Sequence, residues 1–438
     1  MDQASPKLAH NVTRLGHHAL PGAGQVYVDG NYCYVGHITN KDGLATSILD
    51  IADPKNPKVV SQIPVGDPHS HSHKARVAGD IMITNMEQNM TAIGRKADEL
   101  PKLRTVLKVE LGRDATHAEL AARLNVSEAD IPAVEAMEKS PYSQGGFKVW
   151  DIKDRTNPKL ITHVKTHGRG VHRFDMDANY AYISTEMPGY IGNILVIYDM
   201  KNPAKPEEVS RWHIPGQHVA AGEKPTWPGR QHRLHHTVRL GNRLFAGCWH
   251  GGVRIVDVTD IRKPNTIGAY NYHPPMPEPS HTFLGLPKKI NGRDIAVAID
   301  EEDHVHSDAE VAKRRGRPHA ALWTFDITDT ANIKPVGVFE VSELESPWAR
   351  VAPGRFGAHQ FQEHWKAGDT LVYCAWFAGG LRIVDVADPA APQEVGWYVP
   401  QPVGGKPCPQ TNDVDTDERG LVYLVDRYLG FDILEFKR

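Results

Sequence analysis

The sequence predicts an all-β fold, a seven-bladed β-propeller with a helical insertion in its second blade, and three observations predict it. A short apolar strand ending in an acid, usually entering a Pro-containing turn, recurs as SILDIADPKNP, FKVWDIKDRTNP, LVIYDMKNPAKP, VRIVDVTDIRKP, LWTFDITDTANIKP, LRIVDVADPAAP and FDILEF. Its acids are Asp50, Asp151, Asp199, Asp257, Asp326, Asp385 and Glu435, and self-similarity at a period of roughly 40 to 50 residues is the mark of propeller blades or solenoid turns. Around each copy lie further strand-patterned stretches separated by Gly, Asn or Asp turns, the order expected of a four-stranded antiparallel blade. One segment, residues 90 to 144, departs from this pattern and repeats at helical spacing instead.

Taken in order, the blades begin near Gln25, His73, His172, His236, His281, His359 and Asn412. The clearest copy is HTVRLGNRLFAGCWHGGVRIVDVTDIRKPNTIGAYNY, with GN at its first hairpin. The last blade is one strand short, and the N-terminal NVTRLGHHAL reads as the missing outer strand. Pairing the two ends would close the ring, remove the exposed edges and make residues 1–438 a single domain. In the insertion, ELPKLRTVLKVEL and THAELAARLNVSEADIPAVEAMEK carry capping-box pairs at Thr116 with Glu119 and Ser127 with Asp130. Its place after the second strand of blade two predicts a cap over the channel mouth, or a contact between copies of the chain.

GGVRIVDVTD and GGLRIVDVADP resemble the LVIVD repeat, the unit of a bacterial family of seven-bladed propellers. That resemblance implies the fold and is nearly silent on activity, because propellers host many unrelated functions.

The chain has 438 residues, with 50 Lys and Arg against 53 Asp and Glu, a net charge of −3. No basic field exists to hold nucleic acid or an anionic membrane. Cys33, Cys248 and Cys374 fall inside apolar strand patterns, and with Cys408 they read as reduced thiols. MDQASPKLAH lacks the basic and apolar regions of a secretory leader, so a cytoplasmic location is expected, or a periplasmic one had a leader been removed. The sequence shows no GxSxG elbow, P-loop, dinucleotide fingerprint, CxxC pair or HExxH helix.

Histidine is where the sequence concentrates its chemistry, with 24 in the chain. Five blades open on one: His73, His172, His236, His281 and His359, with Asn412 and Gln25 matching in the other two. The register of the His235/His236 pair is ambiguous by one residue, and alternation with Val238 and Leu240 favours His236 as the inward one. Five imidazoles converging on an axis predict a divalent transition metal, with iron favoured and zinc, manganese or copper as alternatives. Glu87 and Glu186, at second-strand ends, are the candidate base or ligand-orienting carboxylates. Arg173, His250, Glu302, Trp376 and Arg427 are the candidate substrate contacts. Arg169, Arg230 and Arg233 could also clamp a carboxylate, and His304 and His306 add to the local imidazole count. The leading expectation is a mononuclear non-haem iron oxygenase acting on a small, aromatic or carboxylated substrate. A zinc or manganese hydrolase or lyase, a copper oxidase and a non-catalytic protein-binding scaffold are the alternatives.

Overall fold

The structure is a computed structural model and describes residues 8–38, 40–89, 93–139, 142–227, 231–303, 317–366 and 368–438. The recurring acid has a local job. Asp50, Asp151, Asp199, Asp257, Asp326 and Asp385 each accept a hydrogen bond from the backbone N–H two residues on, at 2.8 to 3.0 Å. This Asx turn stops the strand and redirects the chain. Asp53, Asp154, Asn202, Asp260, Asp329 and Asp388 repeat the device three residues later, so the outward turn is fixed by two short polar side chains in tandem.

Between these turns the chain forms four-stranded antiparallel groups. The first comprises Ala23–Asp29, Tyr32–His37, Leu44–Asp50 and Lys58–Pro64. Later groups open with Ala75–Ala78, His167–Met176, His232–Leu240, Ser280–Gly285, Ala358–Phe361 and Thr411–Thr416. Each opening strand packs against the opening strand of the next group, and Thr411–Thr416 returns against Ala23–Asp29. The opening strands therefore surround one axis. Between neighbouring sheets lie the cores, such as Tyr182, Leu195 and Ile197 of one group against Leu244, Ala246 and Val256 of the next. All four cysteines are free and buried. The last group, Thr411–Thr416, Leu421–Asp426 and Gly430–Phe436, takes Val12–His18 as its fourth strand.

Sequence alternation misses one feature of the opening strands. Their pairing with the second strand slips by a residue near the mouth, leaving Gly24, His172, His281, His359 and Asn412 as the extra, bulged residue. In the fourth group the slip falls between His232 and His236 and includes His235. A bulge re-aims its residue and shifts everything before it to the other face. Room for the next strand comes from small residues on the second strand: a Cβ on Gly36 would meet the His73 carbonyl carbon at 2.2 Å, and one on Gly247 the His281 oxygen at 2.3 Å.

Three helices, Ile93–Leu111, His117–Leu124 and Ile131–Lys139, lie between Ile81–Gln88 and Gly146–Asp151. Both capping boxes form, and Leu100, Leu107, Leu120, Leu124, Ile131 and Val134 make a small core of their own.

Candidate metal centre and its cavity

Because the bulged residues point up and inward, they meet at one end of the axis. They border a cavity of about 610 Å³ whose walls include His71, His73, His172, His281, His359 and Glu301. With His235 they form an arc of six imidazoles. Ring centroids run 4.5 Å from His71 to His73, 5.4 to His172, 5.0 to His235, 4.1 to His281 and 4.5 to His359.

Hydrogen-bond partners assign the tautomers, since a carbonyl or carboxylate can only accept. His172 Nδ1–H donates to Glu87 at 2.9 Å, and His235 Nδ1–H donates to the His281 carbonyl at 3.1 Å. Thr282 gives its hydroxyl proton to Gln360 Oε1 at 2.6 Å, so it accepts from His281 Nδ1–H at 2.8 Å. His359 Nδ1–H donates to the Asn412 carbonyl. All four rings are thereby left with an Nε2 lone pair. The lone pairs of His172 and His235 face each other 3.1 Å apart, about the spacing of two nitrogens each ~2.1 Å from one ion. His73 is oriented differently: Asn85 Nδ2 donates to its Nδ1 at 3.3 Å, and Lys74 Nζ lies against its Nε2.

A shared proton could separate the facing lone pairs, but the electrostatics oppose it. Burial, then the Lys74 and Arg233 charges, outweigh Glu87 and bring His172 down to about 4. His235 is pushed well below its ordinary value by burial and by neighbouring His172, Arg233 and Arg173. Burial likewise takes His281 well down and His359 to about 3. These rings are neutral at pH 7, the form that ligates metals. Burial alone would raise Glu87, yet His172 and His71, the latter donating at 3.1 Å, hold it well below the carboxylate range. Glu301 is held at about 2 by His359, Arg355 and Arg427 against the same burial. Its carboxylate lies 3.9 Å from His281 Nε2 and 3.8 Å from His359 Nε2. Two groups here, His71–His73–Glu87 and His235–His281–Glu301, are close enough to hold a metal ion.

The other residues singled out from sequence divide clearly. Arg173 and Arg427 line the cavity, both depressed to about 9 by burial first. His236 does not join the arc: it sits one residue deeper, 3.2 Å from Glu363, because the bulge gives His235 the inward position. Gln25 is deeper for the same reason, with Gly24 at the bulge. Glu186 is a rim residue that accepts the Arg169 amide at 3.2 Å. Glu302 turns back into the sheet, accepting from His319 and the Ala320 amide at 3.0 and 2.9 Å. Its neighbour Glu301 is the carboxylate that faces the histidines. His250 lies against His273, 5.7 Å between centroids, outside the cavity wall. Trp376 is fully buried against Phe339 and seals a sheet core. None of the three helices contributes a described residue to the cavity wall. Arg230, His304 and His306 fall outside the described residues.

Sequence reading missed a layer beneath the arc. Glu363 accepts from Arg173 at 3.2 Å and Gln360 at 2.6 Å and lies beside His236 and Arg76, so side chains from four different groups of strands meet at it. A third imidazole group, His213 and His218 with Glu223, lies on a separate loop, where Glu223 already accepts the Gly216 and His218 amides at 2.7 and 3.1 Å.

With this geometry in hand, the repeat can be identified from three matched regions. The profile of the LVIVD repeat matches residues 22–63, 176–213 and 370–399. The chain carries LVIVD repeats. Among solved structures, the LVIVD-repeat chain is similar to a periplasmic gluconolactonase of Pseudomonas aeruginosa, PpgL, with a TM-score of 0.54 at 12% identity over 91% of this chain and 89% of that one. It is also similar to the C-terminal WD40 domain of Sif2, with a TM-score of 0.51 at 7% identity over 98% and 99%. At such identities the likeness is one of fold, and the fold is a propeller. No curated protein matches the LVIVD-repeat chain.

Proposed function

We propose that this LVIVD-repeat protein is a metal-dependent oxidoreductase, a seven-bladed propeller with a helical insertion in blade two and one transition-metal ion on its axis. His235 and His281, which with Glu301 already lie close enough to share an ion, are its core ligands, and His172 and His359 on either side would complete the set through Nε2. The tautomer set carries this reading: four rings from successive groups all spend their Nδ1–H on a fixed acceptor and turn a lone pair inward. Such orientation of the second ring nitrogen is how proteins prepare imidazole ligands. Glu87 and Glu301 balance the ion's charge from beside it. The metal supplies redox chemistry on oxygen or substrate, and Fe(II) suits an imidazole set with open positions.

Hydrolysis is the weaker reading for a physical reason. A general base works best with a pKa near the operating pH, whereas Glu87 is held well below the carboxylate range and Glu301 at about 2. Neither accepts a proton readily. The test is elemental analysis of untagged protein purified without chelators. Near-stoichiometric iron, or another redox metal, is expected; it should be lost in His172→Ala/His235→Ala and kept in His236→Ala, with circular dichroism reporting the fold. A folded, metal-free native protein would leave only the scaffold alternative.

A further inference from the structure

The cavity wall contains two guanidinium groups that make no close ion pair: Glu301 acts on both and Glu87 on Arg233, but neither from within ion-pair range. Arg355 lies 2.8 Å from Glu301 and Arg173 lies 3.2 Å from Glu363, so both are spoken for. Arg233 has no carboxylate within ion-pair range and no hydrogen bond among the described residues; it lies over Trp249, 4.3 Å from the ring centroid. Trp249 in turn stacks on His235 at 5.1 Å and has φ +52, a left-handed conformation rare for so large a residue. Across the mouth, Arg427 donates to the neutral Asn412 Oδ1 at 2.6 Å and sits 5.3 Å over Phe377. Both line the cavity. A partly desolvated charge without a partner is unfavourable unless something else supplies the counter-charge.

We propose that Arg233 and Arg427 form an oxyanion subsite, and that the molecule bound in this cavity is a small organic carboxylate placed beside the histidine arc. A guanidinium fork matches a carboxylate bidentately, and an aromatic ring beneath keeps the fork planar and presented. Glu87, Glu301, Asp303 and Asp413 also border the cavity; Glu87 and Glu301 are already engaged by His172 and Arg355, and Asp413 accepts the Val26 amide. The anion therefore meets the unpaired guanidiniums rather than bare carboxylates. The aromatic walls, Trp249 and Tyr428, suit a carboxylate carried on an apolar or aromatic body. This inference rests on the metal-dependent reading for its chemistry, not for its binding.

Isothermal titration of the purified protein with benzoate, and with benzamide as its neutral counterpart, tests it, with metal content measured on the same sample. Benzoate is expected to bind and benzamide not to, and Arg233→Gln and Arg427→Gln should each weaken benzoate at least tenfold. Removing a desolvated charge that has no close ion-pair partner should also leave the melting temperature of either variant equal to or above the parent's. No benzoate binding, equal binding of benzamide, or affinity unchanged in both variants would overturn the subsite. So would a large drop in melting temperature, which would mark the arginines as structural. Benzoate binding to a metal-free native protein would retain the subsite and remove the metal reading; metal without benzoate binding would do the reverse.

Discussion

A neutral imidazole has one lone pair to give, and whichever atom takes its N–H decides which way that lone pair points. Glu87 therefore matters through His172. Replacing it with Gln keeps the shape but offers His172 Nδ1–H a poorer acceptor and removes a negative charge beside the arc. Glu87→Gln is expected to stay folded and to lose 10- to 100-fold in metal affinity, read by competition with a chelator; unchanged affinity would remove Glu87 from the centre. Protons compete for the same lone pairs. In the unfolded chain a histidine titrates near 6.5, while folded His359 does so at about 3 and His172 at about 4. Between those values the unfolded chain binds the extra proton, so stability is fullest above pH 6.5 and falls as pH drops toward 4. At pH 5 the loss from His359 alone is on the order of 2 kcal/mol. Urea unfolding of metal-stripped protein at pH 7.5 and 5.0 should show it, and equal midpoints would contradict the buried, neutral assignment. Residue types made this chemistry visible in sequence; the choice of Glu301 over Glu302 was not, since both follow directly on the strand Ile295–Asp300 and sequence does not say which turns to the axis.

At the level of the strand, the decisive element is the bulge. Alternating side chains are a sound guide only while the pairing register is unbroken, and Val238 with Leu240 points to His236 by that rule. Between His232 and His236 three residues face the single Cys248, which breaks the alternation, so His235 reaches the arc and His236 drops to Glu363. Nothing in a single copy announces the slip. The glycines that admit it are a partial signal: Gly36 and Gly247 stand where any larger side chain would strike the next blade's bulged strand. Gly247→Ala drives its methyl into the His281 carbonyl, the same oxygen that accepts His235 Nδ1–H at 3.1 Å. Relief requires the strand to move. Thermal melting should show a loss of about 1 to 3 kcal/mol, accompanied by reduced metal content because two ligands shift together. A variant that keeps both would mean the bulge does not aim these rings.

For the whole molecule, the question is what keeps a ring of sheets shut, because a site assembled from successive blades exists only while the ring is closed. The repeats were legible because six of the seven copies solve the same local problem with the same tandem Asx turn. Closure was legible only as a missing strand at one end and a spare one at the other. Two sets of bonds now define the seam. On the inside, Asp413 and Asp415 accept the Val26 and Val28 amides at 3.2 and 2.8 Å. On the outside, Val12–His18 pairs along Gly430–Phe436, and Ala9–His10 adds to Gln393–Tyr398. Deleting residues 1–18 leaves the inner bonds in place but bares the backbone of Gly430–Phe436, an edge that invites pairing with other chains. The shortened chain is therefore expected to elute as higher oligomers on size exclusion, melt well below the parent and lose its metal, because Asn412, whose carbonyl fixes His359, belongs to the blade that has come loose. A synthetic peptide spanning residues 8–20 should restore the full chain's elution by filling the vacant edge. If the deletion elutes, melts and binds metal like the full chain, the inner seam alone closes the propeller and the N-terminal strand is dispensable.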